Sequence, residues 1–274
     1  MATVLRPIQD VVRHHDALTG TDRAEGLDRW IFVLTAAIYI VIVLVGFIPD
    51  SLVKIEMVKA GLRAPFPPIM HVHAVVMGAF LLILLAQTWL AATGRIGQHM
   101  RLGVLGALLG YGLIVVGFIL APTMYHQVWN GLQHAPPEAQ GPLRELNLLM
   151  DNILLLQLRG GTLFALFFTI GLVARARDSG LHKRMLILAP VSALSAATDR
   201  MHWLPTMLPG DPIMSNIYPL LAVAPLFWLD VSRNRSVHRA WWIFIVGWVV
   251  TATILQMAWN QPWWHAAVHR IMGV

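Results

Sequence analysis

Seven long apolar runs dominate the chain, and their length constrains the fold more than any other feature. They cover residues 30–48, 70–92, 102–121, 153–173, 185–203, 213–229 and 241–259. Each approaches the ~20 residues that a helix needs to cross a hydrocarbon core of ~30 Å. In lipid, only helices and closed barrels satisfy their own backbone, and these runs are continuous rather than alternating. The sequence therefore predicts an all-α polytopic membrane protein with seven transmembrane helices.

The composition agrees with this fold class. Of the 274 residues, 57% are hydrophobic and 12% are charged, which leaves a soluble domain too little polar surface to cover itself. The predicted domains are a cytoplasmic tail over 1–29, a transmembrane domain over 30–259 and a periplasmic tail over 260–274. The sixth run contains Pro219 and Pro225, so we expect its helix to be kinked or re-entrant. No cysteine is present, which excludes disulfides, thiolate metal ligands and covalent haem attachment.

The orientation follows from the basic residues. With the N-terminus inside, 13 of the 20 Lys and Arg residues fall on the inner side, as the positive-inside rule requires. Ten of the 11 tryptophans then lie near helix ends, and only Trp248 lies in mid-span. This predicts a cytoplasmic N-terminus and a periplasmic C-terminus in a bacterial inner membrane. The net charge of +6 is explained by basic loops that face anionic lipid, so the lipid bilayer is the expected partner and nucleic acid is not.

Histidines collect on the predicted outer side. They are His71, His73, His126, His134, His202, His265 and His269. His71 and His73 diverge by about 200° on a helix, so they cannot both face one point there. His73 continues a stripe through Met77, Phe80, Leu84 and Gln87, and we expect it to point into the bundle. His71 either faces another helix or lies in the preceding loop.

The fifth run carries a polar face. Ser192, Ser195, Asp199 and His202 recur at helical spacing, so this face is expected to contact other helices or a wet cavity. Asp199 and His202 are one turn apart, where a carboxylate can orient a histidine for proton transfer or metal binding. Alternatively, the two serines bond to carbonyls of their own helix beside Pro190.

Arg159 lies inside the fourth run. A charged side chain at the centre of a bilayer costs about 2.5–3.5 kcal/mol on insertion scales, so Arg159 needs a partner, and Asp199 or Asp151 is the expected one. The predicted cofactor-binding residues are His71, His73, His126, Arg159, Asp199 and His202. Of these, the expected metal ligands are His73, His126 and His202, because imidazole suits iron, copper and zinc.

Several motifs resemble those of a group of bacterial multi-pass membrane proteins of unknown function. The resemblance rests on Met70-His71-Val72-His73-Ala74, on Gln87-Thr88 with Gly94-Arg95, and on His99-Met100-Arg101-Leu102-Gly103. His182-Lys183-Arg184 and Leu229-Asp230-xx-Arg233-x-Arg235-xx-His238 are similar to that group too, so the likeness covers about residues 69–240. The group typically reads His-Arg-Arg-Leu-Gly after the second helix, and Met100 departs from this pattern. The resemblance implies a seven-helix fold and no established activity.

Three functions fit these residues. The first is a periplasmic-side site that binds a transition metal, a b-type haem or a quinone in a redox role. The second is a small-solute or proton-coupled carrier in which Arg159 and Asp199 form the charge pair and prolines allow gating. The third is a non-catalytic accessory subunit that packs against other membrane subunits. Whether the protein is an enzyme stays open at this point.

Overall fold

The computed structural model describes residues 16–18 and 26–274, and all regular elements in these ranges are helices. The long helices are α1 (Gly26–Lys59), α2 (Pro68–Ala92), α3 (Ile96–Gln133), α4 (Pro137–Ala174), α7 (Ile213–Asn234) and α8 (Arg239–Ala258). The shorter ones are α5 (Ser179–Leu188), a 3-10 helix (Ala189–Ala193), α6 (Ser195–Thr198) and α9 (Pro262–Met272). The six long helices are each long and apolar enough to cross a membrane. The prediction of an all-α multi-pass membrane protein is thus confirmed.

The predicted fifth helix over 185–203 is not a single helix in the structure. Residues 179–198, here called the broken segment, pass from α5 through the 3-10 turn into α6, and the chain then continues in turns. Pro190 lies in the 3-10 helix. Proline has no N–H to donate and its ring clashes with the preceding turn, which explains why the α-helix stops there.

The broken segment packs along α4 and reaches α1. An added Cβ at Gly171 of α4 would lie 2.8 Å from Leu186, and one at Gly160 would lie 3.1 Å from the Ser192 carbonyl oxygen. The hydroxyl of Ser192 donates to Gly160 O (3.0 Å) and to Ala189 O (2.8 Å). Ser192 therefore bonds back to its own segment, as the sequence allowed, and also ties that segment to α4.

The sixth run, in which two prolines predicted a kinked or re-entrant segment, forms a single helix in the structure. Helix α7 continues through Pro219 and Pro225 for 22 residues and is long enough to span a membrane.

The connection between the third and fourth apolar runs, residues 122–152, is largely helical. Helix α3 continues to Gln133 and α4 begins at Pro137, with a short turn between them. Part of the C-terminal stretch 260–274 forms α9, which packs on α3 and α4.

Two buried apolar clusters hold the helices together. The larger one includes Phe80, Phe164 and Phe168, whose rings contact one another at 5.4–5.7 Å. The smaller one joins α3, α4, α8 and α9 through Tyr125, Leu154 and Trp264, among others. Many large apolar side chains on the outer faces of the helices stay exposed; Val173, for example, exposes 72% of its surface. Exposed apolar surface of this extent fits contact with lipid rather than water.

Gly46 permits the closest approach of the broken segment to α1. We expect Gly46→Ala to destabilise the fold, because the new methyl group would lie 2.3 Å from the Ala197 carbonyl oxygen, a backbone atom that cannot rotate away. Overpacking of this kind costs about 1–3 kcal/mol. Gly117→Ala is the matched control, since an added Cβ at Gly117 in α3 has no neighbouring atom within 4 Å. Thermal unfolding in detergent should show a loss for Gly46→Ala alone, and equal midpoints would contradict this packing.

Candidate functional site

The histidines predicted to bind a metal are not gathered into one site. His73 and His126 are half-buried, whereas His202 is exposed in the turn that follows α6. His71 is exposed and its ring packs against Phe66. Within residues 16–18 and 26–274, no three His, Asp or Glu side chains are placed to hold a metal ion. The predicted triad of His73, His126 and His202 therefore has no support, because the helix expected to carry His202 ends before it.

The inward stripe predicted on α2 is partly confirmed. Phe80 and Leu84 are buried, and His73 lies two turns before Phe80 on the same helix. The pairing predicted for Asp199 and His202 is not observed; instead, Asp199 accepts a hydrogen bond of 2.8 Å from the Ser215 hydroxyl. Helix α6 ends at Thr198, so Asp199 and His202 are not one turn apart on a continuous helix.

Arg159 pairs with neither of its expected partners. Its Nε donates to the Thr251 hydroxyl at 3.1 Å, and its guanidinium carbon lies 4.2 Å from the centre of the Trp248 ring. No carboxylate in the described part of the chain lies at ion-pair distance from it. The expected Arg159–Asp199 and Arg159–Asp151 pairs are therefore corrected: Asp199 is bound by Ser215, and Asp151 is bound by histidine.

A different polar cluster lies at the predicted outer end of the bundle, centred on Asp151 of α4. Asp151 is fully buried, and its Oδ2 lies 2.7 Å from His265 Nδ1 and 3.9 Å from His269 Nε2. An ionised carboxylate can only accept, so His265 Nδ1 carries the hydrogen in this pair. The indole of Trp264 donates to the Asp151 carbonyl oxygen at 2.9 Å. We call Asp151, His265, His269, Tyr125 and Asn147 the outer cluster.

Several buried polar side chains of the outer cluster lie next to one another. The Tyr125 hydroxyl has the side chains of Asp151 and Asn147 as hydrogen-bonding neighbours, whereas His269 Nε2 is buried and has no hydrogen-bond partner among the described residues. Tyr125 and Asn147 are 2% and 4% exposed. Buried polar groups normally have partners, and unpaired ones are concentrated where a ligand, water or proton is handled. These buried polar side chains, which include a histidine nitrogen without a hydrogen-bond partner in the described ranges, make the outer cluster the stronger candidate site.

Local structure explains how α9 brings its histidines to Asp151. Pro262 lies in the first turn of α9, where proline is favoured, and His265 and His269 are four residues apart on one helical face. Asn260, at φ 57°, precedes this helix and is tied to Asn152 of α4 through bonds of 2.6 and 3.0 Å. Sequence reasoning placed both histidines on the outer side but missed this pairing, although their spacing after a proline was an available signal.

The opposite end of the bundle carries a fully paired charge network. Arg184, 1% exposed, lies between Asp230 (2.5 Å) and Asp16 (2.7 Å). Asp230 also accepts from the Trp241 indole (2.6 Å) and from Asn234 (2.7 Å). In the sequence, Arg184 stood out only as part of the His182-Lys183-Arg184 motif. Arg184 is a buried structural tie between α5 and α7.

Charges at this end shift the pKa of two groups outside the membrane-spanning helices. Burial alone would raise the pKa of Asp16, but the hydrogen bond from Arg184 and the charges of Lys183 and Arg184 hold it well below its usual range. Burial, with the nearby charge of Arg184, lowers the pKa of His238. A neutral His238 suits its position before α8, where its Nδ1 accepts from the Ala240 N–H. Both shifts favour the charge states that the network uses.

Comparison of the chain with protein-family models, with curated proteins and with solved structures gives no match. The functional argument therefore rests on the geometry of the described residues.

Removing one member of the buried network should be costly. We expect Arg184→Gln to lower stability by about 3–5 kcal/mol, because it leaves the buried carboxylate of Asp230 without a cation. Asp230→Asn should cost less, because Arg184 keeps its pair with Asp16. Arg239→Gln is the control: Arg239 pairs with Asp178 at the surface and its side chain is 61% exposed, so its loss should cost at most about 1 kcal/mol. Folded yield and thermal midpoint in detergent measure both effects. Similar small losses in all three variants would contradict a structural role for the network.

Proposed function

We propose that this protein is a proton-coupled carrier of a small solute in the bacterial inner membrane, with the outer cluster as its proton site. One observation carries the proposal. The carboxylate of Asp151 is fully buried with a histidine 2.7 Å away, and no lysine or arginine lies at ion-pair distance among the described residues. Its charge is thus balanced by a side chain that can lose its own proton, whereas an arginine partner would stay charged at any physiological pH.

The seventh crossing is part of this proposal, with the broken segment as the crossing element. Near its start, Arg184 pairs with Asp230 at the C-terminal end of α7. Just after its end, Asp199 binds Ser215 at the N-terminal end of α7. Those two residues of α7 are separated by about 22 Å along the helix axis. The broken segment therefore follows α7 over most of its length, which supports a full crossing.

Interrupted crossing helices are a feature of many carriers. Their substrate and ion sites are often built where a transmembrane helix is discontinuous, and gating uses the same breaks. Here the interruption lies at Pro190, and Ser192 beside it bonds to Gly160 of α4, the residue after Arg159. Helix α4 also carries Asp151. One helix thus links the outer cluster to the interrupted segment, which supports the carrier reading.

The proposed topology is a cytoplasmic N-terminus and a periplasmic C-terminus. The inner side then carries most of the basic residues, and the outer cluster faces the periplasm. A reporter fused after Val274 should register as periplasmic, and one inserted within 178–182 should register as cytoplasmic. If both reporters register on the same side, the broken segment and the two later helices make an even number of crossings, and the seven-helix arrangement is wrong.

Proton coupling can be tested in vesicles. The protein is reconstituted into liposomes that contain a pH-sensitive dye, and succinate, sulfate, phosphate, alanine or glucose is added. We expect lumenal acidification with at least one of these solutes. Asp151→Asn should abolish the acidification, because an amide cannot exchange the proton, while solute exchange without net proton movement persists. His202→Gln is the control, since His202 is exposed and outside the outer cluster. The proposal would be contradicted if Asp151→Asn acidified the lumen as much as the wild type does, or if the wild type acidified it with none of these solutes.

A redox role is the alternative, and its possible cofactors are not equally supported. The side-chain geometry does not support a metal or a b-type haem held by His73, His126 and His202. A quinone site is favoured by one observation: Tyr125 of the outer cluster and Trp264 beside it belong to the smaller apolar cluster, an environment that suits a quinone ring. An absorption spectrum, metal analysis and quinone extraction of the purified protein separate these readings. An accessory role would instead appear as co-purification with larger membrane subunits.

A further inference from the structure

Arg159 is a buried cation whose charge the described protein does not balance. Arg159 is 7% exposed and lies on the part of α4 that belongs to the fourth apolar run. One end of the guanidinium is used: Nε donates to Thr251, and the group lies over Trp248. Nη2, at the other end, is buried and has no hydrogen-bond partner within residues 16–18 and 26–274.

Arg184, the other buried arginine in the described ranges, differs in this respect. It has two carboxylates, and Arg200, whose side chain is 28% exposed, has Asp50 at 3.2 Å. Arginine does not deprotonate in proteins, so Arg159 keeps its charge. An aromatic face compensates a cation only in part. An arginine left without a carboxylate inside the membrane is therefore a functional position by default.

The surroundings of Arg159 suit a small ligand. Thr251 and Trp248 fix the guanidinium from α8, so its free edge is held in a defined direction. Gly160 and Gly161 follow it on α4, and an added Cβ at Gly161 would meet no atom within 4 Å. The 3-10 turn of the broken segment passes beside Gly160 through Ser192. The fixed cation thus adjoins two residues without side chains, with the backbone of the broken segment beside Gly160.

We propose that Arg159 binds a small oxyanion, a carboxylate or an inorganic anion of similar size, and that this anion is the carried solute. The planar fork of a guanidinium matches the oxygens of such anions through charge-assisted hydrogen bonds. This inference rests on the carrier function proposed above. Asp151 lies eight residues before Arg159 on α4, about 12 Å along the helix axis. A proton bound at the first position and an anion at the second would cross together with reduced net charge.

Direct binding to detergent-purified protein tests the inference without transport. Equilibrium dialysis with radiolabelled succinate, sulfate and phosphate, in a buffer of otherwise large anions, should show saturable binding of at least one. Arg159→Gln should weaken that binding by a factor of roughly 10–100, the usual effect of removing a charged hydrogen-bond donor. Arg159→Lys, which keeps the charge and loses the fork, should give an intermediate affinity.

Stability separates a ligand site from a structural tie. Without the anion, Arg159→Gln should unfold at the same temperature as the wild type or higher, because it removes an uncompensated charge, and added anion should stabilise the wild type alone. Arg200→Gln is the control: it removes a cation from Asp50, which keeps Lys54 at 2.6 Å, so it should lower stability only slightly and keep anion binding. A fluorescence change on binding that disappears in Trp248→Phe would locate the anion beside Arg159.

The outcomes are distinct for the two proposals. If the wild type binds none of the three anions, or if Arg159→Gln binds them as tightly as the wild type does, the oxyanion site is overturned, and carriage of another solute stays possible. If the anion binds at Arg159 but solute entry brings no protons in the vesicle assay, the proton-coupled function fails while the oxyanion site stands.

Discussion

The interruption of the fifth segment at Pro190 is the constraint on which the arrangement depends. A continuous helix from residue 179 would have projected Ser192, Asp199 and His202 along one face. Instead, the 3-10 turn brings the segment against Gly160 of α4, and Ser192 bonds across that contact. Beyond it, the segment reaches the carbonyl of Ala197 beside Gly46 of α1. The broken segment thus contacts both α4, one residue from Arg159, and α1.

Three buried charges are compensated by neighbouring groups in three different ways. Arg184 is held by carboxylates from two other parts of the chain, the usual solution for a buried structural ion. Asp151 has a histidine, whose charge depends on the proton it carries. Arg159 has an aromatic ring and a hydroxyl. In the first arrangement an arginine pairs with carboxylates, whereas Asp151 pairs with a histidine and Arg159 has no carboxylate partner in the described ranges.

The sequence was informative where structure depends on local pattern. Apolar run length predicted the six long helices, and spacing predicted that Phe80 and Leu84 of α2 are buried. It failed where a contact joins distant positions. His265 lies 114 residues from Asp151, and no periodicity relates the two. The partner expected for Arg159 was likewise chosen by charge alone, and the register that would have brought Asp199 to it was lost at Pro190.

The helical extensions beyond the apolar runs explain why the outer cluster is buried at all. A carboxylate at the end of a transmembrane run would normally meet water and head groups. Here α3 and α4 continue past the runs, and α9 packs across them, so Tyr125 and Trp264 join a buried apolar cluster. Asp151 is buried beside that cluster, with its carbonyl oxygen bound by Trp264. Burial there makes the charge of Asp151 expensive unless a proton neutralises it or His265 carries the opposite charge. The C-terminal helix is therefore the element that buries Asp151 and supplies its histidine partner.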